Sequence, residues 1–304
     1  DKYLVEIANR FDASVKFAPQ NRWKAFPGVG FGWVVSREDF FSKYASIVNY
    51  LKIRSSVGQS GNDAGVAAFT YLNTFKYTNN TTVMGGKTVP GIKTSNIPNA
   101  DLKWETSTMA NLGFEATLWN GLLSTDFEVF YKVTDDILNN PGNLYPASLG
   151  GYVPSSINYG KMANRGFDLQ LSHRNKIKNL EYNATLNINW ARNKILRRDE
   201  SQDLPAWQRT VGRSCGEKLG FVVDGMYQSW DEVERAYSPA GDGLAPGFFK
   251  YKDLNGDGKI TPQDDYTFVG KSNIPELTYG LNLYLGYKGF DLSLLFQGAG
   301  MCDV

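Results

Sequence analysis

Period-two alternation of apolar and polar residues, sustained over long segments, constrains the fold of this chain more than any other feature. In residues 277–287 the alternate positions are Leu, Tyr, Leu, Leu, Leu and Tyr, with Thr, Gly, Asn, Tyr and Gly between them. Residues 182–190 repeat the pattern, with Asn or Thr at every intervening position. Neighbouring side chains on a strand point to opposite faces, so each segment has one apolar and one polar face. The sequence therefore predicts an all-β fold.

Alternation is the dominant signal of the chain, which reads as nine strands, and several of these are long for a soluble protein. A soluble strand typically has about 5–6 residues, whereas a strand needs about 9–11 residues to cross a bilayer. The lengths therefore favour membrane-spanning strands. We predict strands at residues 1–10, 23–35, 50–59, 104–119, 121–134, 158–174, 178–193, 276–287 and 289–298.

The connections between the predicted strands alternate in length. Asn120-Gly121, residues 175–177 and Lys288-Gly289 are short, and Asn-Gly is a strong signal for a tight hairpin. A longer turn at residues 36–49 is expected on the same side, with a helical turn around Phe40, Phe41 and Tyr44. The other connections are long, at 60–103, 135–157 and 194–275. Short turns opposite long loops predict a partial transmembrane antiparallel β-barrel with long extracellular loops.

The alternation also assigns the two faces of the predicted wall. We expect lipid contact from the apolar positions Leu186, Ile188, Leu281, Leu283, Leu285, Phe127 and Val129. We expect the lumen to be lined by Asn187, Asn282, Glu128 and Lys132. Aromatic residues collect near the strand ends, where interfacial girdles would place them; for any one of them ordinary core packing is the alternative and the better single explanation. They are Trp23, Trp104, Trp119, Tyr159, Trp190 and Tyr287.

Composition and charge exclude several functional classes. The 304 residues carry 32 Lys and Arg against 31 Asp and Glu, so the net charge of +1 offers no strong field for nucleic acid or anionic lipid. The single histidine, His173, excludes most His-based metal or catalytic clusters, and Cys215 and Cys302 cannot form a disulfide scaffold. We identify no serine nucleophile and predict that the chain is not an enzyme. It opens without Met inside a predicted strand, so we expect an internal portion of a longer protein.

The segment from Asp253 to Asp264 matches an EF-type calcium loop. Its acidic and amide side chains fall at positions one, three, five and twelve, and Gly258 occupies position six, where the loop turns sharply. The alternative is a solvated turn stabilised by Asx hydrogen bonds. The predicted ligands of Ca²⁺ are Asp253, Asn255, Asp257, the Lys259 carbonyl and Asp264.

Aromatic residues in the long loops are candidates for substrate binding, because they can stack on sugar rings or grip a peptide. The alternative for each is ordinary loop packing or contact with a partner protein. The candidates are Tyr71, Tyr77, Trp207 and Trp230, together with Tyr237.

Five segments resemble one family of outer-membrane proteins, and they occur in that family's order. They are RWKAFP at 22–27, LKIRSSVGQSGN at 51–62, NADLKWET at 99–106, NYGKMANRGFDL at 158–169 and the run from FKYKD at 249–253 to Gly270. Together they resemble the SusC/RagA family of TonB-dependent outer-membrane transporters.

The resemblance implies a fold and a function for the parent protein. The chain would be a segment of a 22-stranded barrel with an internal plug, in the outer membrane of a Gram-negative, Bacteroidota-like cell. Residues 1–304 would be a portion of the barrel domain, incomplete at both ends, and residues 194–275 a long outer loop containing the calcium-type loop 253–264. The implied function is uptake of oligosaccharides or peptides beneath a SusD-like lipoprotein lid, energised through TonB, ExbB and ExbD.

Two other classes remain open from the residues alone. A secreted, calcium-dependent β-rich carbohydrate-binding module predicts shorter strands, compact loops and sheets buried on both faces. A β-rich glycoside hydrolase predicts two carboxylates at a fixed separation across a cleft. The length of the strands and the asymmetry of the loops favour the barrel over both.

Overall fold

The computed structural model describes residues 1–94, 97–149, 152–236 and 243–303, and strands dominate it. The helices are α1 (Trp230–Glu234) and α2 (Pro262–Asp265), with 3₁₀ turns at Pro19–Asn21, Val35–Arg37, Asp39–Tyr44, Trp119–Gly121, Ala147–Leu149 and Ala206–Gln208. The strands are β1 (Tyr3–Ala13), β2 (Trp23–Val34), β3 (Val48–Asn62), β4 (Phe75–Met84), β5 (Lys87–Thr94), β6 (Glu105–Leu118), β7 (Leu123–Asn139), β8 (Ile157–Ile177), β9 (Leu180–Arg197), β10 (Lys218–Phe221), β11 (Val223–Met226), β12 (Phe249–Tyr251), β13 (Tyr266–Gly270), β14 (Leu277–Tyr287) and β15 (Phe290–Gly300).

Nine of these strands form one antiparallel sheet, in the order β1-β2-β3-β6-β7-β8-β9-β14-β15. Each strand pairs with the next one of the nine along the chain, which is the up-and-down arrangement of a barrel wall. All nine predicted long strands are confirmed. Within the described residues β1 and β15 each pair with one neighbour, so this wall is open.

The tight turns and the 35–47 connection lie together at one end of the wall, which we call the turn end, whereas the short β1–β2 connection, 14–22, lies at the opposite end. Lys288 (φ 47°) and Gly289 (φ 86°) both adopt left-handed backbone angles, as a tight hairpin turn requires. The helical turn predicted near Phe40 is the 3₁₀ segment Asp39–Tyr44. The turn predicted at 175–177 lies two to three residues too early, because β8 ends at Ile177 and β9 begins at Leu180. Ile177 still pairs with Leu180, and the chain reverses at Lys178 (φ 57°).

The register of the strands separates an apolar face from a polar face. Leu281 pairs with Leu186, and Leu186 with Leu171, so apolar residues continue from strand to strand across the wall. Four rings form a ladder on this face, with Phe114, Phe127, Phe167 and Trp190 spaced 5.8, 6.1 and 6.0 Å apart. Asn187, Asn282, Glu128 and Lys132 share the opposite face, as the alternation predicts.

The apolar face is exposed to an extent unusual for a soluble protein. Ile7 is 81% exposed, Leu112 54% and Phe296 53%, on strands at both edges and the middle of the wall. Exposed apolar surfaces larger than a few hundred Å² mark contact with a membrane or a partner. The secreted-module alternative, with sheets buried on both faces, does not fit this arrangement.

The buried core lies at the other end of the wall, which we call the loop end, where the long connections emerge. Phe17, Phe26, Val66, Leu102 and Trp104 form it, and Leu138 packs against it. Of the two interpretations of Trp104, a girdle position or core packing, the structure shows core packing. Its ring packs on Phe17 and Phe26 at 5.3 and 5.6 Å, because it precedes β6 and turns under the loops.

The other predicted girdle positions differ in exposure. Trp23, Trp119 and Tyr287 are at least half exposed, as girdle residues are expected to be. Trp190 stacks on Phe167, and Arg197 lies over the ring of Tyr159 at 5.1 Å. No helix in the described residues is long and apolar enough to cross a membrane.

Candidate functional site

A cluster of charged side chains lies at the centre of the polar face. Arg54 on β3 contacts three carboxylates, with Nη1 2.8 Å from Glu115, Nη2 2.8 Å from Asp126 and Nε 3.0 Å from Glu128. Lys52 lies 3.3 Å from Glu115. Arg54 reaches the β7 residues across the intervening strand β6, because Gly113 on β6 adds no side chain between them. We call Lys52, Arg54, Glu115, Asp126 and Glu128 the Arg54 cluster.

The Arg54 cluster borders an open hollow of about 820 Å³ on the polar face. Its walls come from β3, β7, β8, β9, β14 and β15, so the polar face is the concave side of the wall. The polar side chains around it are Arg54, Asp126, Glu128, Asp168, Gln170, Asn187, Asn189, Thr278, Asn282 and Gln297. Arg54 is shared among three carboxylates, so the hollow carries excess negative charge and many amides.

Two amide oxygens on the polar face are buried without a hydrogen-bond partner in the described residues. They are Oδ1 of Asn111 on β6 and Oδ1 of Asn164 on β8. Buried acceptors are nearly always paired in native proteins, with protein or with ordered water. Both oxygens are enclosed by the wall itself and do not face the lumen.

The loops at the loop end are fastened to the wall. Asn21 donates to the carbonyls of Ala100 and Leu102, at 3.2 and 3.1 Å, and Trp104 Nε1 donates to the carbonyl of Arg22 at 3.0 Å. Ser14 donates to Asp63 at 2.7 Å. These bonds fix the base of the 63–104 loop over the end of the strands.

The predicted calcium ligands lie in one turn, where their side chains bond the backbone. Asp253 accepts from the N–H groups of Gly256 and Gly258 at 2.6 and 2.8 Å, and Asp257 accepts from Lys259 at 2.8 Å. Asn255 likewise accepts from Asp257 at 3.0 Å. Gly256 (φ 76°) and Gly258 (φ 81°) supply the left-handed angles of the turn.

The last predicted ligand, Asp264, is directed elsewhere. Its carboxylate accepts from the Thr261 hydroxyl at 3.0 Å. Its neighbour Asp265, which sequence reasoning missed, is fully buried and accepts from the N–H groups of Leu254 and Thr261 at 2.7 and 2.8 Å. In the described ranges no three His, Cys, Asp or Glu side chains are grouped to hold a metal. Calcium binding therefore stays a prediction.

The predicted substrate-binding aromatics fall into two groups. Tyr71 and Trp207 are partly buried and hold loops together, because Arg22 donates to the Tyr71 hydroxyl at 3.3 Å and Trp207 donates to the Asp264 carbonyl at 2.9 Å. Tyr77 and Trp230 are 81% and 61% exposed and remain available to a ligand or partner. Tyr237 lies outside the described residues.

A serine motif that sequence analysis overlooked does not form a catalytic site. Ser214 lies in the spacing G-x-S-x-G, between Gly212 and Gly216. A nucleophile of this type needs a strand-to-helix turn and a histidine base. Ser214 instead donates to Asn193 at 3.2 Å in a loop, whereas the only histidine, His173, stacks on Tyr182 near the turn end.

Comparison with known proteins identifies the wall. Residues 1–299 match the family model described as TonB dependent receptor-like, beta-barrel. The chain belongs to the TonB-dependent receptor β-barrel family. Barrels of this family are outer-membrane proteins of Gram-negative bacteria, and the family comprises receptors and transporters, not enzymes. The predicted family and fold class are therefore confirmed, and the hydrolase alternative is wrong.

Named relatives carry the same barrel. TonB-dependent receptor P3 of Formosa agariphila is 30% identical over 315 residues, covering 98% of this chain and 30% of the relative. TonB-dependent receptor SusC of Bacteroides thetaiotaomicron is 25% identical over 309 residues, with 98% and 30% coverage. This TonB-dependent receptor chain thus spans about a third of the length of these relatives.

A solved structure shows the same fold at lower identity. The RagAB peptide importer in its open-open state superposes with a TM-score of 0.74 at 23% identity, covering 97% of this chain and 30% of that chain. The superposition supports the arrangement of the TonB-dependent receptor wall.

Proposed function

We propose that this chain forms part of the wall of a TonB-dependent importer that carries oligosaccharides or peptides across the outer membrane of a Bacteroidota-like bacterium. The observation that carries the proposal is the family match over residues 1–299. The two-faced wall supports it, because an importer needs an apolar face toward lipid and a polar face toward its cargo.

The polar face favours a polar cargo without net negative charge. Asn and Gln side chains both donate and accept hydrogen bonds, as sugar hydroxyls and peptide groups require. Gln170, Asn187, Asn282 and Gln297 border the hollow, and the excess carboxylates there repel anions. We therefore propose neutral or basic oligosaccharides or peptides.

We also propose that a SusD-like surface lipoprotein covers the loop end. The β4/β5 hairpin of the first long loop exposes apolar side chains there: Phe75 is 66% exposed, Tyr77 81% and Ile92 66%. Tyr77 and Ile92 are directly paired across the hairpin, so they form one patch. An exposed patch of this kind on an outer loop suits contact with a lid protein.

The energy source we propose is TonB with its partners ExbB and ExbD, since dependence on TonB defines the family. The predicted Ca²⁺ would have a supporting role. Bound by Asp253, Asn255, Asp257, the Lys259 carbonyl and Asp264, it would order the 194–275 loop without taking part in chemistry. The proposal is supported by the position of Asp253, Asn255 and Asp257 in one turn. The Asp264 carboxylate would have to rotate away from Thr261 to complete the coordination shell of the ion.

Growth and uptake assays test the importer proposal. A strain lacking the gene should lose growth on either an oligosaccharide pool or a peptide pool as sole carbon source. Complementation with the wild-type gene should restore growth, whereas complementation in a strain lacking TonB should not. Unchanged growth of the deletion strain on every pool, with no loss of uptake of labelled cargo, would refute import.

Co-purification tests the lid. The full-length protein, extracted in mild detergent, should bring a surface lipoprotein with it, and Tyr77→Ser with Ile92→Ser should weaken that association. Val269→Ser is the control, because it also replaces an exposed apolar side chain on an outer loop by a polar one, lies outside the hairpin and is not a predicted binding residue. Equal recovery from both variants would count against the hairpin as the contact.

A further inference from the structure

Three cationic side chains lie on the apolar face of the wall. The register of β8 and β9 places Arg165 directly opposite Arg192, and Lys194 opposite Ala163. Arg165 is two residues from Phe167 on β8, and Arg192 is two residues from Trp190 on β9, so both share the face of that stacked ring pair. All three cations are exposed. We call Arg165, Arg192 and Lys194 the basic rim.

Within the described part of the chain, two of the three cations in the basic rim lack an acidic partner. Like charges directly opposite on neighbouring strands destabilise a sheet. Arg192 lies 3.3 Å from Glu276, whereas Arg165 and Lys194 make no ion pair among the described residues. On the β7 side Arg165 faces Tyr131 and Ala163 faces Val133, and neither offers a negative charge. The basic rim therefore keeps a net positive charge.

The depth of the basic rim follows from the strands beside it. The apolar stretch of β14 runs from Leu277, which pairs with Trp190, to Tyr287 at the turn end. Its ten steps span about 34 Å along the strand, or about 25 Å across a bilayer at the usual barrel tilt, which is the height of the apolar band. Trp190 thus marks the loop-end border of the band. Arg165 and Arg192 lie about 5 Å beyond it and Lys194 about 10 Å beyond it.

That level is occupied by lipid headgroups. Arginine binds phosphate through paired hydrogen bonds, and long basic side chains extend toward the headgroups from an apolar surface. We propose that the basic rim binds the phosphate of an anionic lipid in the outer leaflet. This contact is independent of the transported cargo and would anchor the wall at a fixed depth.

Lipid retention by the full-length protein tests the proposal. The protein is reconstituted in phosphatidylcholine nanodiscs doped with lipid A or with chemically dephosphorylated lipid A, and bound lipid is counted by native mass spectrometry after extraction. We expect wild type to retain lipid A about tenfold over the dephosphorylated form, as the loss of one charge-assisted hydrogen bond implies. Arg165→Gln with Lys194→Gln should abolish this preference.

Controls separate the lipid contact from other effects. Lys176→Gln with Lys178→Gln removes the same charge at the turn end and should keep the preference. Heat-modifiable migration on gels verifies that each variant is folded. If the double variant does not insert, lipid retention is measured on Lys194→Gln alone, which breaks no ion pair. The proposal would be overturned if both rim variants still preferred lipid A over its dephosphorylated form. It would also be overturned if inorganic phosphate, at the same concentration as lipid A, displaced the lipid from the wild-type protein.

Discussion

Removing the arginine at the centre of the Arg54 cluster should destabilise the wall. Arg54→Met keeps the length of the side chain but leaves Glu115, Asp126 and Glu128 with Lys52 as their only nearby cation in the cluster. Losing one partner of a fully buried ion pair costs about 3–5 kcal/mol, and exposed pairs are worth about 0–1 kcal/mol. Because the Arg54 side chain is 29% exposed, we expect the free energy of unfolding to fall by about 2–3 kcal/mol.

A matched set of variants isolates the cause. The triple variant Arg54→Met, Asp126→Asn, Glu128→Gln also removes two of the stranded charges, so it should recover most of the lost stability. The measurement is urea unfolding of the full-length protein in lipid vesicles, followed by tryptophan fluorescence. A loss below about 0.5 kcal/mol for Arg54→Met, or a triple variant as unstable as the single one, would refute the reasoning.

Three further predictions concern the loop end. Trp104→Ala should remove about 3–5 kcal/mol from the core formed with Phe17 and Phe26, and limited proteolysis should then cut the 63–104 loop while the strands stay intact; an unchanged digest would contradict it. The hydrogen bond from the Ser14 hydroxyl, and then the charge of Lys16, lower the pKa of Asp63 in the folded protein. The ionised Asp63 carboxylate therefore stabilises the fold above the ordinary aspartate pKa of about 3.9. This stabilisation is lost as the pH falls from about 3.9 toward the lower pKa of the folded state. Ser14→Ala should reduce protection of this loop at neutral pH, with Ser201→Ala as the control, and equal protection of both variants would count against the bond. Ca²⁺ should slow proteolysis of the 194–275 loop unless a chelator or Asp257→Ala is present, and identical digests in all conditions would mean that the motif is only a turn.

The wall could be predicted from the sequence because its information is local. The alternation within each strand predicts which side chains lie on which face, and strands that pair in the wall follow each other along the chain. Register could not be read so directly. Asn175 and Lys176 look like turn residues, yet β8 continues to Ile177 and extends over 21 residues in all. Polar residues do not end a strand whose backbone is still paired.

The loop end could not be predicted because its contacts are between distant segments. The β10–β13 and β11–β12 pairs join residues on either side of a long insertion. Trp104 looked like an interfacial residue until Phe17 and Phe26 were seen beside it. Asp265, rather than Asp264, clamps the calcium-type loop, and no spacing rule distinguishes the two adjacent aspartates.

The Arg54 cluster lay between these extremes. Alternation predicts that Glu128 lies on the polar face, and it predicts the same face for charged residues at matching alternate positions of the neighbouring strands. Arg54 on β3 and Asp126 on β7 are separated by a whole strand, however, and their contact depends on the register of two pairings at once. A search for opposite charges of the same parity on nearby strands would have found Arg54 and its carboxylates.

One measurement tests the assignment of the two faces most directly. Leu283 and Asn282 are adjacent on β14 near the middle of the apolar band, and each is replaced by Arg in the full-length protein. Arginine facing lipid at mid-membrane costs about 2–4 kcal/mol, which is about 30-fold to 900-fold in the ratio of folded to unfolded protein. Folding into vesicles, scored by heat-modifiable migration, should be impaired by Leu283→Arg and near wild type for Asn282→Arg. Normal folding of Leu283→Arg with failure of Asn282→Arg would show that the faces are reversed.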